Sequence, residues 1–347
     1  MVDKEYCMSS FLAFRYIVND DKQFAEGLMH RCPRRISDAY KQLVADAADL
    51  DVALSNVFRT IAHERLGLLL SGGMDSAILA SYMPKGADAY TFRFLGGGYQ
   101  ADELHRAELF AKNCGLNLHY VDINWNVVTQ CLDKVMLHKS APVHSIEPQI
   151  YYATQMAKRD GVTLMVVGDG SDYVFGGMDG LYSQDWSFDD FVKRYIYVDP
   201  KDVLNDPVDM TSEFEPYRIG PKSIDFIRLM DELTIDESYS SYENAFDAAE
   251  MPHIDPYAKL KMAHPLNIAR LRSGDSKYIV RDLFCRRYPA IPLPEKLPMP
   301  RPVDAYFADW KGPTRPEFRQ DIDISRFTGN QRWLIWCLER FLDVIQS

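Results

Sequence analysis

The stretch Ser71-Gly72-Gly73-Met74-Asp75-Ser76 brings two hydroxyls, two glycines and a carboxylate together directly after the apolar run 66–70. An apolar run, a glycine turn and then Ala77, Ile78, Leu79 and Ala80 predict a strand, a tight turn and a helix. At such a junction the free amides of the helix N-terminus favour an anion such as a phosphate. Gly72 and Gly73 let the backbone approach it closely, and Ser71 and Ser76 add hydroxyl donors. A bare phosphate would repel Asp75, so in that setting Asp75 is a candidate magnesium ligand, with the cation between carboxylate and phosphate. An ordinary turn in which Asp75 caps the helix would leave the same pattern. The turn also lacks the lysine of the GxxxxGK(S/T) phosphate loop.

The elements around this turn read as an α/β fold, a parallel twisted sheet with helices on both faces. Tyr40, Leu43, Val44, Ala47, Leu50, Leu54, Val57, Phe58 and Ile61 recur at helical spacing and predict one helix over 33–63. Strands are expected at 66–70, 89–94, 118–123 and 162–167, with a helix over 103–114. The last strand runs into a second glycine-rich turn, GDGSDYVFGG, from Gly168 to Gly177. Beyond residue 185 the chain reads as mostly helical, as at 226–233 and 276–288. The six prolines between Pro289 and Pro302 lack amide donors and predict a loop. The expected organisation is an approach segment over 1–63, an α/β core over 64–185 and a helical portion over 186–347 that completes the site.

Composition narrows the function. The 347 residues are 47% hydrophobic and 26% charged, which is globular, and the net charge of −11 argues against a nucleic-acid partner. Six scattered cysteines without a CxxC pair suggest neither zinc nor a disulfide framework, and His144, His253 and His264 form no metal-ligand spacing. The polar start MVDKEYCMSS and the lack of a long apolar run predict a cytoplasmic protein with no membrane partner.

With these residues in view, SGGMDSA resembles the SGGxDS loop of the ATP pyrophosphatase superfamily, whose members cleave ATP between the α and β phosphates. VVGDGSDYVFGG is similar to the SGEGSDExFGGY segment of asparagine synthetases and their β-lactam-forming relatives. The resemblance extends over roughly residues 8–310 and covers the synthetase domain. It implies ATP and Mg2+ as cofactors, with Asp75 and Asp172 on one metal, and Ser71, Gly72, Gly73, Asp75, Ser76, Phe92 and Gly168 on the nucleotide. Lys277 and Lys296, separated by a helix and the proline-rich run, match the two lysines that return to the family's nucleotide site. Asp169 stands where the family has Glu, as does Tyr173, and AAEMPHID departs from EARVPFLD at Ala248 and Glu250. These changes fall around the acceptor side and put asparagine as product in question. Val2 stands where the glutaminase domain of the family begins with its cysteine nucleophile, and no such domain is seen, so glutamine is not expected to be the direct nitrogen source.

The resemblance implies an AMP-forming carbon–nitrogen ligase. A small-molecule carboxylate is adenylated, and an amine or ammonia, supplied free or by a separate protein, attacks the adenylate. Lys296 would stabilise the tetrahedral oxyanion, Asp169 would take the proton from the amine, and Lys277 would hold a phosphate. Two other readings remain open at this level: a pyrophosphatase that modifies a nucleotide or tRNA, and a catalytically silent nucleotide-binding subunit.

Overall fold

Side chains alternate across the sheet: Leu66, Leu68 and Val166 face one apolar cluster, and Leu69, Met165 and Val167 face the other. Strands buried on both faces read as near-continuous apolar runs, which is the pattern of parallel sheets covered by helices. The structure, a computed structural model, describes residues 1–95, 100–295 and 301–346. Its strands are β1 (Gln42–Val44), β2 (Leu66–Leu69), β3 (Asp88–Phe94), β4 (Asn117–Ile123), β5 (Leu164–Val166), β6 (His253–Ile254) and β7 (Leu260–Met262). Five of them form a parallel sheet in the order β4-β3-β2-β5-β6, and β1 pairs in parallel with β7 apart from it. A short hairpin at 218–224 is also present.

The helices that cover the sheet are α1 (Lys4–Phe14), α2 (Ala47–Thr60), α3 (Met74–Ala80), α4 (Ala101–Cys114), α5 (Trp125–Lys139), α6 (Glu147–Arg159), α7 (Ser171–Val174), α8 (Ile235–Ala248), α9 (Tyr278–Arg287) and α10 (Gly329–Val344). Other helical segments, Phe188–Tyr195 among them, carry no label. One cluster joins α2, α3, α4 and α9 to the sheet, and the other joins α1, α5, α6, α8 and α10. Helices therefore lie on both faces, as the alternation of strand and helix predicts.

Strand order reverses at β2, whose neighbours β3 and β5 lead the chain in opposite directions. Ligand crevices of open α/β sheets form outside the strand carboxyl ends at such a point. Both glycine turns lie there, because one follows β2, the other follows β5, and the two strands pair directly.

The helix expected over 33–63 is a correction. Residues 42–44 form β1, and α2 starts only at Ala47, where the Asp46 carboxylate accepts the amides of Ala48 and Asp49. A capped start wins over periodicity here, and Tyr40 and Leu43, counted as core by spacing, are exposed. The helix expected from 276 also starts later, at Tyr278, because Lys277 is the N-cap in left-handed conformation at φ 52°. The run 226–233 is helical at first, but residues 230–234 open into a wide i→i+5 turn before α8. Such turns often sit near functional sites. Residues 289–295 carry neither helix nor strand, as the prolines predict.

The C-terminal helix fixes the loop between α5 and α6. α10 starts in a capping box of Thr328 and Gln331 and buries Trp333, Cys337, Leu338 and Phe341. The Trp333 indole donates to the Val143 carbonyl at 2.9 Å, which fixes the loop that carries His144. Among the described residues no helix is long and apolar enough to cross a membrane. All six cysteines are free thiols.

Candidate active site

The first glycine turn is folded on itself before any ligand is considered. The Ser71 and Ser76 hydroxyls lie 2.9 Å apart, the Gly73 amide donates to Ser71 Oγ at 3.1 Å, and Ser76 Oγ reaches the Ser71 carbonyl at 3.1 Å. Glycine is required at 72 by close approach: a Cβ there would stand 2.5 Å from the Glu103 carbonyl oxygen at the start of α4. Arg106, one turn further along α4, donates to the Gly72 carbonyl at 3.0 Å. The loop is thus clamped between α3 and α4 with its serines turned inward.

Asp75, in the first turn of α3, and Asp172, in α7, are brought together. Lys277 Nζ lies 2.5 Å from Asp75 Oδ2 and 2.6 Å from Asp172 Oδ1. The other oxygen of Asp75 accepts the Ser171 hydroxyl at 2.7 Å. Lys277 is 5% exposed, whereas the Asp75 and Asp172 side chains keep 27% and 30% of their surface. Burial works against the Lys277 charge, but the Asp75 and Asp172 carboxylates outweigh it and hold its pKa above the ordinary lysine value. Gly177 belongs to the same knot, since a Cβ there would stand 2.1 Å from Asp172 Oδ1 and 2.7 Å from Lys277 Cδ.

Two cavities meet at this point. One of about 480 Å³ is lined by Ser71, Asp75, Ser76, Phe92, Gly168, Asp169 and Asp172. The other, of about 430 Å³, shares Ser71, Asp75 and Asp172 and adds Gly73, Arg106, Lys277 and Arg281. The structure therefore gathers the sequence-selected residues 71, 73, 75, 76, 92, 168, 169, 172 and 277, with Gly72 just behind the wall. Lys296 lies outside the described residues. A larger cavity of about 780 Å³ lies toward β6 and touches this region only through Val167, Asp169 and Tyr242.

The donor set fits a hard cation. Two partly exposed carboxylates converge on one positive point, and magnesium is bound in proteins by one or two carboxylates together with substrate phosphates. In this conformation the Lys277 ammonium is the positive charge between them.

The far end of the 480 Å³ cavity contains residues that sequence reasoning did not select. Arg15, the left-handed C-cap of α1, pairs with Glu237 of α8 at 3.0 Å. Arg301 donates to Ser145 Oγ at 3.1 Å and faces His144 Nε2 at 3.2 Å. Burial and then the Arg301 charge push His144 well below the ordinary imidazole pKa, so the ring is neutral at pH 7. Arg15 and Glu237 had no signal in the sequence, because Arg15 stands alone in an apolar segment and Glu237 is one of several acids in its own. Arg301 had a weak one, being a cation within the proline run.

Asp169 accepts the Ser238 hydroxyl at 2.7 Å. Burial, and then the neighbouring Asp255, raise its pKa well above the carboxylate range. Burial also pushes Asp255 up to about 7, although its oxygens accept the amides of Gly170 at 2.5 Å and Tyr257 at 2.9 Å. Two acids whose charged forms disfavour each other thus line the 780 Å³ cavity, and Asp169 lines the 480 Å³ cavity as well.

The parallel sheet with glycine turns at its switch point defines an α/β protein of the nucleotide-hydrolase type. Residues 53–250 match the family model described as asparagine synthase, more than half of the sequence, and the chain belongs to that family. It is also similar to the protein named putative asparagine synthetase (glutamine-hydrolyzing) 1 of Methanocaldococcus jannaschii. The two are 29% identical over 137 residues, which is 37% of this chain and 24% of that protein. The matched stretch thus spans about a quarter of the relative's length.

Proposed function

We propose that this protein is an ATP-dependent, AMP-forming ligase that joins a small-molecule carboxylate to an amine or ammonia. The observation that carries this reading is the meeting of Asp75 and Asp172 at Lys277, in the wall between the two cavities. The carboxylate oxygen attacks the α phosphorus of ATP and pyrophosphate leaves. The amine then attacks the acyl carbon, AMP departs, and an amide and a proton remain.

In this reading Ser71, Ser76 and the amides around Gly72 and Gly73 hold the phosphates at the N-terminus of α3. Phe92 and Gly168 border the nucleotide. Asp75 and Asp172 would hold magnesium, which when bound offsets phosphate charge. The cluster of Arg106, Lys277 and Arg281 suits the leaving pyrophosphate. Lys296 is assigned to the oxyanion of the second step. Asp169 is assigned to the amine proton; burial and Asp255 raise its pKa, so its action as a base grows as pH rises through that pKa. The nitrogen comes from free amine or ammonia, or from a separate protein that supplies it.

The test is a screen of amino acids and small carboxylates for substrate-dependent exchange of labelled pyrophosphate into ATP. Exchange driven by one carboxylate, and a new amide once ammonium or hydroxylamine is added, is the expected result. Exchange driven only by a nucleotide or tRNA would move the protein to a different reaction class, and ATP binding without any exchange would make it a binding subunit.

A further inference from the structure

On the side of α8 away from the glycine turns, His30 is held in one orientation. Its Nδ1 lies 3.2 Å from the Lys22 carbonyl oxygen, which can only accept, so Nδ1 carries the proton and Nε2 keeps its lone pair. The residue is 9% exposed, and Nε2 is buried without a hydrogen-bond partner among the described residues. A buried imidazole nitrogen with an unused lone pair is costly unless something accepts that lone pair.

The groups facing it are ligands. Asp20 Oδ1 stands 3.7 Å from His30 Nε2, too far for a hydrogen bond. Cys32 Sγ completes the group, and the three ligand atoms all lie within 4.8 Å of one another. Tetrahedral zinc, with bonds of about 2.0–2.2 Å to nitrogen and oxygen, separates such a pair by about 3.3–3.5 Å, so Asp20 needs to close by a few tenths of an ångström and Cys32 needs a small side-chain adjustment. Asp20 and Cys32 are exposed and free to make it. All three residues line one cavity of about 290 Å³.

We propose that Asp20, His30 and Cys32 form a site for a divalent transition-metal ion of the zinc class, separate from the magnesium carboxylates. Imidazole and thiolate select zinc or cobalt over magnesium or calcium. The donated Nδ1 proton is the outer contact that usually fixes the orientation of a metal-bound histidine. Two cations of the cavity wall are already matched, Lys139 with Glu147 at 2.8 Å and Arg35 with Asp236, and the third, Arg31, donates to the His138 carbonyl. Burial and Asp20 keep Cys32 a thiol in the absence of metal, so the Asp20 carboxylate and the thiolate formed on binding would balance the metal charge. Binding replaces the thiol proton with the metal and releases that proton to solvent. With three protein ligands, a fourth position remains for water, and the ion cross-links the segment between α1 and α2. Tyr16, next to Arg15, and Asp236, next to Glu237, line the same cavity, so the cross-link backs the wall of the proposed active site.

Cobalt(II) titration of the full-length chain, read by absorption, tests this. The expected result is one cobalt per chain with a thiolate-to-cobalt charge-transfer band that zinc displaces and excess magnesium does not. Cys32→Ser should abolish the band, Cys285→Ser should leave it, and His30→Asn should weaken binding by roughly tenfold or more. Zinc should raise the unfolding temperature of the wild type but not of Cys32→Ser. If His30→Asn does not fold, as judged by circular dichroism, the exposed Asp20→Asn takes its place. A wild-type protein without the band, or a band that survives in Cys32→Ser, overturns the proposal.

Discussion

Buried Lys277 and partly exposed Asp75 form an ion pair at 2.5 Å across 202 positions of sequence, and the lysine reaches it from a left-handed N-cap. A cation therefore sits where the two glycine turns meet. Replacing Lys277 with Met leaves two carboxylates facing each other without their counter-charge. We expect pyrophosphate exchange to fall by about 10²- to 10³-fold, with added magnesium restoring nucleotide binding but not rate. Single-turnover kinetics and ATP titration on the same variant separate the two effects.

Asp75→Asn and Asp172→Asn each remove one charge from the proposed cation site. ATP affinity measured with magnesium should drop in both, while the weaker affinity measured with a chelator present should barely change. Equal magnesium dependence in wild type and variants would remove these residues from the metal.

Gly177→Ala inserts a methyl group where Asp172 Oδ1 and Lys277 Cδ already stand. Overpacking of this kind costs about 1–3 kcal/mol, and here the groups forced aside are the ion pair itself. Nucleotide binding should be lost while the variant stays folded, which calorimetric titration and urea unfolding can report together.

Asp255 supplies a pH signature with a definite sign. Its folded pKa of about 7 lies above the ordinary carboxylate value, so between those two pH values the folded state binds more protons than the unfolded one. This group's contribution to stability is intact in acid, falls as pH rises from about 4 to 7, and is constant above that. Urea midpoints of wild type minus Asp255→Asn, followed across this window, should decline with rising pH. A flat or rising difference would contradict the assignment.

The buried pair of Lys139 and Glu147 ties α5 to α6, and Asn244 of α8 donates to the same carboxylate at 2.6 Å. Lys139→Met strands that charge and should cost about 3–5 kcal/mol of stability in denaturant unfolding. Because the Glu147 carboxylate also accepts the His144 amide at 2.8 Å, the end of the cavity that holds His144 should loosen with it.

The sequence alone determined four of the sheet's five strands and its two glycine turns, whereas the edge strand His253–Ile254 is too short to read from periodicity. Apolar runs ending in glycine turns specify strand, loop and helix locally, so residues 71–76 and 168–177 could be read without a structure. Periodicity failed at 33–63, where a cap at Asp46 and an edge pairing at 42–44 outweighed it. What only the tertiary structure decided is which distant groups share a volume. Strand pairing sets Asp75 beside Asp172, and the packing of α9 and α8 then brings in Lys277, Glu237 and Ser238. Asp20, His30 and Cys32 show the same limit, since their spacing matches no metal motif and only the fold of the segment between α1 and α2 turns them toward one point. Local propensity acts over a few residues, whereas a site is a set of side chains whose distances depend on every element between them.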